Sequence, residues 1–228
     1  MNLASTRINN TIEILHNLIC HILNSITRAS KYLTGKLLDV GCGKKPYASI
    51  FNCEIHVGVD VSTSPHINES IDEYFDGLNL PFQNESFDSV ICTEVLEHCQ
   101  NAEKLMLEMY RVLRPGGFIF FTVPMFIEHH EAPHDMRRYT YYGARSLAEQ
   151  CGLEIVEVGD RGNFLSVSIV AFYYAISQYL SRRPYIDFIY WLLFPFTWLT
   201  LKFDRFKRKD PVSISLGWQF LVKKAVSE

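Results

Sequence analysis

Apolar residues along this chain fall either at helical spacing or in short continuous runs. Near the start, isoleucine and leucine recur at steps of three and four, which predicts an amphipathic helix over residues 8–32. Helical spacing returns over residues 101–113 and 141–150. The continuous runs predict strands at 36–40, 54–60, 70–75, 87–92, 117–123, 153–158 and 215–224. Strands that alternate with helices predict a mainly parallel sheet covered by helices on both faces.

Charged residues are missing from residues 162–181 and again from 188–201, with Arg182-Arg183-Pro184 between the two runs. Two apolar helices joined at this tripeptide are therefore expected as an insertion before the last strand. The organisation predicted for the chain is an N-terminal helical segment, a core, the insertion and a final strand that completes the core sheet: 1–34, 35–161, 162–210 and 211–228.

The residues of the insertion bear on whether it contacts a membrane. A single membrane crossing is excluded because the strands on either side share one sheet, so the chain must return to the side that it left. Arg182 and Arg183 at the hairpin tip oppose deep insertion. Trp191, Trp198 and the basic cluster 202–209 favour shallow docking on anionic lipid, which predicts peripheral membrane contact through 162–209. A lid over an acceptor pocket and a dimer interface remain alternatives.

The composition of the chain bears on where the protein is found in the cell and on which partners it binds. A net charge of -3 over 228 residues provides no field that attracts nucleic acid, so nucleic acid is not expected as a partner. The six cysteines are scattered without a CxxC pair, which indicates reduced thiols rather than disulfides. The N-terminus lacks an apolar run followed by a small-residue cleavage site, so we expect a cytoplasmic protein without a secretory signal.

A glycine turn and an acid follow the first two core strands. The run Leu37–Gly43 ends in Gly41-Cys42-Gly43, where the missing side chains let a ligand touch the backbone. Asp60 ends the second run about 20 residues later, where a carboxylate can accept two hydrogen bonds from a ribose diol. This pattern predicts a cofactor that contains a nucleoside.

Two details of the turn favour a cofactor with an amino-acid tail over a dinucleotide. Pro46 stands where the dinucleotide fingerprint places its third glycine. Asp39 precedes the turn, where a carboxylate would repel a pyrophosphate but would help to hold a cationic amino-acid group. An ordinary turn at the glycines and a strand-end cap at Asp60 are the structural alternatives.

With these motifs in order, residues 35–160 resemble the class I S-adenosylmethionine-dependent methyltransferases, in particular the type 11-like domains. Asp76 falls where that family places a carboxylate near adenine, Phe87–His98 resembles its fourth-strand motif, and Leu113–Gly117 its turn before strand five. The resemblance implies an α/β, Rossmann-like, doubly wound sheet of seven strands, mostly parallel with an antiparallel last strand. It also implies S-adenosyl-L-methionine as cofactor and these binding residues: Asp39, Gly41, Cys42, Gly43, Asp60, Val61, Asp76, Gly77, Leu78, Thr93 and Glu94. Asp76 is alternatively a turn residue before Gly77.

The acceptor site is expected at the carboxyl ends of strands four and five. The loop Pro124–Thr140 carries three histidines, three acids and two arginines, which together offer a base, an orienting carboxylate and an anion clamp. The predicted catalytic residues are His134 as base with Asp135 as partner, His130 as the alternative base, and His98 near the transferred methyl group. A solvated, salt-bridged loop is the structural alternative. The set His129, His130 and His134 has no ligand spacing, so no metal is predicted.

The same loop resembles a subset of the family from cell-surface polysaccharide and glycolipid pathways, which implies a sugar or lipid-linked acceptor. The predicted reaction is O-methylation of a small or lipid-linked acceptor. N- or C-methylation is the alternative within the enzyme class. A non-catalytic protein that keeps the fold as a scaffold or binding module is the alternative from another class.

Overall fold

A computed structural model of the chain describes residues 22–64, 69–162, 164–180 and 214–226. Helix α1 covers residues 22–29 and continues into a 3₁₀ turn, Ser30–Tyr32, and a second 3₁₀ turn covers Ala48–Ile50. The other helices are α2 Ala102–Val112, α3 Tyr141–Gln150 and α4 Phe164–Leu180. The strands are β1 Lys36–Val40, β2 Ile55–Val61, β3 Glu73–Phe75, β4 Phe87–Thr93, β5 Leu113–Pro124, β6 Leu153–Asp160 and β7 Gly217–Lys224.

The seven strands form one sheet in the order β3-β2-β1-β4-β5-β7-β6. Strand β1 pairs in parallel with β2 and β4, and β4 pairs in parallel with β5. Strand β7 is antiparallel to β5, from Phe118 opposite Lys223 to Pro124 opposite Gly217. The predicted mostly parallel sheet with an antiparallel last strand is confirmed. The strand order reverses between β1 and β4, which is the position where such sheets bind ligands.

The core explains why the strands read as continuous apolar runs. Leu37, Leu38 and Val40 of β1 are fully buried, as expected for a parallel strand that is covered on both faces. Helix α2 begins at Asn101, whose side chain accepts a hydrogen bond from the Lys104 N–H at 2.9 Å.

Strands β3 and β5 differ from the sequence prediction. Strand β3 starts later than expected because Asp72 is held in a loop: its carboxylate accepts from the Gly58 N–H at 2.7 Å. Strand β5 starts earlier, since the predicted turn 114–117 is a bulge inside the sheet. The pairing register between β4 and β5 shifts at this point: Phe87 lies opposite Leu113, whereas Ser89 lies opposite Phe118.

The chain divides into two compact units, residues 23–159 with 217–228 and residues 1–22 with 160–216. In the second unit, Ser215 Oγ accepts from the Arg161 N–H and donates to the Arg161 carbonyl, both at 3.0 Å. These bonds join the backbone on the two sides of residues 162–214, while the bounds of the insertion stay a prediction.

Helix α4 is the first helix of the predicted insertion. The other calls on this region lie outside the described residues: the second apolar run, its junction 182–184, the basic cluster 202–209 and the start of the N-terminal helix, residues 8–21. Across the described parts of the chain, no helix combines the length and the apolar character that a membrane crossing needs.

Candidate active site

The glycine turn after β1 has the backbone that its sequence predicted. Gly41 and Gly43 adopt φ angles of 69° and 47°, in the left-handed region that favours glycine. A Cβ on Gly41 would lie 2.3 Å from Cγ2 of Val95, in the loop after β4. Both conditions require glycine at position 41. The turn is anchored to β2, since the N–H groups of Gly41 and Cys42 donate to the Val59 carbonyl at 2.8 and 3.0 Å.

Asp60 and the glycine turn form one unit at the end of β2. The residue is 7% exposed, and its Oδ2 accepts from the Gly43 N–H at 3.0 Å while its Oδ1 accepts from the Val61 N–H at 2.8 Å. A carboxylate oxygen offers two lone-pair positions, so each oxygen keeps one for a ligand. The structure thus brings the predicted acid and the predicted turn together, while the ribose contact itself stays a prediction.

Asp39 lies under the turn with a partner that the sequence did not indicate. Its Oδ2 is 3.1 Å from His56 Nε2. Burial raises the pKa of Asp39, and the contact with His56 opposes that rise.

Cys42 is also buried, and burial raises the pKa of its thiol to about 12. The thiol is therefore neutral and contributes packing rather than charge to the predicted cofactor site.

Asp76 holds the turn after β3. Its Oδ1 accepts from the backbone N–H groups of Leu78 and Asn79 at 2.8 and 2.6 Å, and its Oδ2 accepts from Asn79 Nδ2 at 2.7 Å. These bonds, of which those from Asn79 are the largest influence, lower the pKa of Asp76. Gly77 has a φ of 81°, as a turn requires. Asp76 therefore stabilises the turn before and after Gly77, and its contact with adenine stays a prediction.

Thr122 connects the carboxyl ends of β4 and β5 and was not predicted. Its buried Oγ1 donates to Glu94 Oε1 at 2.7 Å and accepts from the Glu94 N–H at 3.1 Å. Glu94 has a φ of 53°, in the left-handed region, so the hydroxyl supports an unusual backbone conformation next to Thr93. The sequence signal for Thr122 was a lone hydroxyl within the apolar run of β5.

The loop after β5 is attached to the loop after β4. The contacts that join them include Tyr139 Oη to the Leu96 carbonyl at 3.2 Å, the Met136 N–H to the Glu97 carbonyl at 3.0 Å, and the Arg137 guanidinium to the Gln100 carbonyl at 2.7 Å. The two loops therefore present their side chains at one place, at the carboxyl edge of the sheet. This is where the acceptor site was expected.

The structure places the Asp135 carboxylate against Arg138, so the roles of His134 as base and Asp135 as its partner stay predictions. Both carboxylate oxygens accept from this guanidinium, with Nη2 at 2.7 Å from Oδ2, and Oδ2 also accepts from the His130 N–H at 3.1 Å. The Arg138 guanidinium holds the pKa of Asp135 well below its usual range. His134 is exposed. Neighbouring residues of an irregular loop point in different directions, so adjacency in sequence did not become contact.

Glu97, His98 and His130 instead form a cluster between the two loops. The Glu97 side chain is fully buried, and its Oε1 lies 3.8 Å from His98 Nε2 and 4.0 Å from His130 Nε2. The two imidazole rings meet edge to face with centroids 4.8 Å apart. Two predicted catalytic residues, His98 and His130, are therefore neighbours. Glu97 was not predicted, although it directly precedes His98 in sequence.

Comparison with known proteins bears on this site. Residues 38–121, which include the glycine turn, Asp60 and the cluster residues of the β4 loop, match a family described as a methyltransferase domain. The tRNA (carboxymethyluridine(34)-5-O)-methyltransferase of Arabidopsis thaliana is 34% identical over 95 residues, covering 38% of this chain and 23% of the relative. The ubiquinone biosynthesis O-methyltransferase of Pseudomonas putida is 26% identical over 121 residues, covering 47% of this chain and 52% of the relative.

The fold is also found among solved structures. Phosphoethanolamine N-methyltransferase 2 of Haemonchus contortus, in complex with phosphomonomethylethanolamine and S-adenosylhomocysteine, superposes with a TM-score of 0.51 at 20% identity. The match covers 85% of this chain and 50% of that one. The chain therefore spans about a quarter to about a half of the length of these three relatives, which share methyl transfer but differ in acceptor.

Proposed function

We propose that this chain, which carries a class I S-adenosylmethionine-dependent methyltransferase domain, transfers the methyl group of S-adenosylmethionine to the oxygen of a small or lipid-linked acceptor. The observation that carries the proposal is the unit formed by Asp60 and the glycine turn. It combines a ribose-compatible carboxylate with a turn of two glycines at the switch point of the sheet.

The residues present fit this cofactor. Asp60 would accept from the ribose hydroxyls through its two remaining lone-pair positions, and the backbone at Gly41–Gly43 leaves room for the amino-acid end. Asp39 supplies negative charge beneath a cationic tail. When bound, the cofactor supplies a methyl group already activated on a sulfonium, so the protein chiefly aligns the acceptor and excludes water.

The acceptor would lie between the loops after β4 and β5. An acceptor hydroxyl loses a proton, and of the two predicted bases the geometry favours His130 over His134. The His130 side chain is 29% exposed and lies beside the buried carboxylate of Glu97, 4.0 Å from its Nε2. His134 is exposed and does not share this neighbour.

The arginines of the β5 loop support a neutral acceptor group at this position. Arg138 binds Asp135, and Arg137 donates to the carbonyls of Cys99 and Gln100. Both guanidinium groups therefore have protein partners, and the predicted anion clamp is occupied. A hydroxyl of a sugar or a lipid-linked molecule fits the loop better than a phosphate or a carboxylate.

Cofactor binding tests the proposal directly. Calorimetry with S-adenosylmethionine and S-adenosylhomocysteine should show binding to the wild type and a loss of about 1.5–3 kcal/mol in Asp60→Asn, the scale of hydrogen bonds to a charged group. Asp88→Asn is the matched control, because that carboxylate binds Arg114 and the Lys36 N–H. Equal affinity in Asp60→Asn and wild type would remove Asp60 from the cofactor site.

Turnover distinguishes the enzyme from a scaffold that merely binds the cofactor. Labelled S-adenosylmethionine is incubated with cell extracts, and methylated products are identified by mass. A product methylated on oxygen supports the proposal, a product methylated on nitrogen or carbon supports the alternative chemistry, and cofactor binding without any product supports the scaffold.

Peripheral membrane contact through residues 162–209 is part of the same proposal. Phe164 and Phe172 of α4 are exposed, at 66% and 52%, which leaves aromatic surface available to a lipid headgroup region. Flotation with anionic liposomes at low salt should recover the protein with the vesicles. Absence from the floated fraction would leave a lid or a dimer interface for this segment.

A further inference from the structure

We propose that Glu97, His98 and His130 bind a divalent transition-metal ion. The sequence predicted no metal because the histidines of the β5 loop lack ligand spacing. The structure uses one of these histidines and adds two residues of the β4 loop. One ligand atom from each of the three residues lies within 4.8 Å of the others. Two imidazoles and one carboxylate are a common protein ligand set for Zn²⁺ and Fe²⁺.

The hydrogen bonds of the two imidazoles decide which ring nitrogens face the cluster. His98 Nδ1 lies 3.2 Å from the His134 carbonyl, and His130 Nδ1 lies 3.2 Å from the Glu128 carbonyl. A carbonyl oxygen only accepts, so each Nδ1 is the donor in its contact, and Nε2 is the atom that each ring can offer to a metal. This arrangement, an N–H bound to a backbone carbonyl behind the ligand atom, is the usual support of a metal-binding histidine.

Three lone-pair-bearing atoms therefore converge on one point. Oε1 of Glu97 is 3.8 Å from one Nε2 and 4.0 Å from the other. Bonds of about 2.0–2.2 Å to a tetrahedral Zn²⁺ would place such atoms about 3.4 Å apart, so small side-chain rotations close the remaining distance. These distances are too long for hydrogen bonds but fit a cation between the three groups.

Burial and access are also those of a metal centre. The Glu97 side chain is completely buried, while those of His98 and His130 are 16% and 29% exposed, so the site opens to solvent on the imidazole side. Three protein ligands leave a coordination position free. If the proposed function holds, that position would take the acceptor oxygen, and His130 would act as a ligand instead of a base.

Calorimetric titration of chelator-treated, full-length protein with Zn²⁺ tests the proposal. One ion per chain is expected to bind, with affinity at least about tenfold lower in His98→Gln and in His130→Gln. Co²⁺ should give the visible absorption of a protein-bound ion in the wild type and lose it in both variants. His129→Gln is the matched control, since this 94% exposed neighbour lies outside the cluster, and it should bind Zn²⁺ like the wild type.

Glu97→Gln tests the third ligand, and the two histidine variants keep the test decisive if this buried substitution impairs folding. A wild type that binds no Zn²⁺, or histidine variants that bind it with unchanged affinity, would overturn the metal site in favour of a protonated imidazole beside Glu97. Titration of the same preparations with S-adenosylhomocysteine separates the two proposals. A wild type that binds S-adenosylhomocysteine but no Zn²⁺ rejects the metal site alone, whereas a wild type that binds Zn²⁺ but no S-adenosylhomocysteine rejects the proposed function alone.

Discussion

The ion pair of Asp135 and Arg138 should decide whether the loop after β5 keeps its conformation. The Asp135 side chain is 3% exposed and that of Arg138 26% exposed. The guanidinium makes two bonds to the carboxylate and a third to the Glu128 carbonyl at 3.0 Å. Because that carbonyl also faces His130 Nδ1, the pair supports the backbone that orients the imidazole.

Arg138→Gln removes the charge and leaves a buried carboxylate without its cation. A hydrogen bond to a charged group contributes about 1.5–3 kcal/mol, and breaking a fully buried pair costs about 3–5 kcal/mol. Since Arg138 is partly exposed, solvent screens the pair, and we expect the free energy of unfolding to fall by about 2–3 kcal/mol. For a chain of this size that corresponds to a melting temperature lower by about 4–12 °C.

The pH dependence of this loss has a definite sign. The pKa of Asp135 is lowered in the folded state, so the pair stabilises the protein above the unfolded-state pKa of about 3.9, and the stabilisation disappears as the pH falls toward the folded-state pKa. The difference between wild type and Arg138→Gln should therefore be equal at pH 7 and pH 5 and smaller below about pH 4.

Urea denaturation measures the difference, with Arg145→Gln as the matched control. Arg145 forms an exposed pair with Glu149 at 2.9 Å on helix α3, and such pairs contribute about 0.3–0.5 kcal/mol. Arg138→Gln combined with Asp135→Asn should cost little more than either change alone. If Arg138→Gln destabilises the protein no more than Arg145→Gln, or if its effect grows at low pH, the reasoning is refuted.

Three further outcomes are expected. Gly41→Ala should lower the free energy of unfolding by about 2–4 kcal/mol and weaken S-adenosylhomocysteine binding, because it combines left-handed strain with a side-chain clash; unchanged urea unfolding would contradict this. Tyr139→Phe should cost about 0.5–1.5 kcal/mol in the same assay, whereas exposed Tyr142→Phe should cost nothing measurable. Burial raises the pKa of Cys42 to about 12, so a thiol reagent at pH 8 should modify this cysteine only after unfolding in urea, and its rapid labelling in the folded protein would refute the assigned burial.

Most of the sheet was predictable because its signals are local. Strand β1 and helix α3 have the predicted bounds, since an apolar run between polar residues and a helical repeat each identify an element without distant information. The start of β5 was not predictable in this way. Its first residues include Pro115 and two glycines, which indicate a turn, and only pairing with β4 turns this segment into a bulged strand.

The cofactor side of the site was predictable for a related reason. Gly43 lies in the turn after β1 and Asp60 lies near the end of β2, and neighbouring parallel strands end at the same edge, so the sheet alone brings them together. The partners of these residues were harder to predict. His56 lies opposite Leu37 in the register of β1 and β2, and that register depends on the whole pairing of the two strands.

The acceptor side depends on backbone carbonyls, which no residue-type pattern reports. His134 contributes its carbonyl, which accepts from His98, while the role of its imidazole as a base stays a prediction. Glu128 likewise contributes its carbonyl to His130 rather than its carboxylate. Because these two carbonyls determine which nitrogen of each ring holds the proton, they determine whether Glu97 faces two proton donors or two lone pairs. The chemistry of the cluster therefore follows from the path of the β5 loop, and a substitution that alters this path, such as Arg138→Gln, should weaken Zn²⁺ binding without removing any ligand.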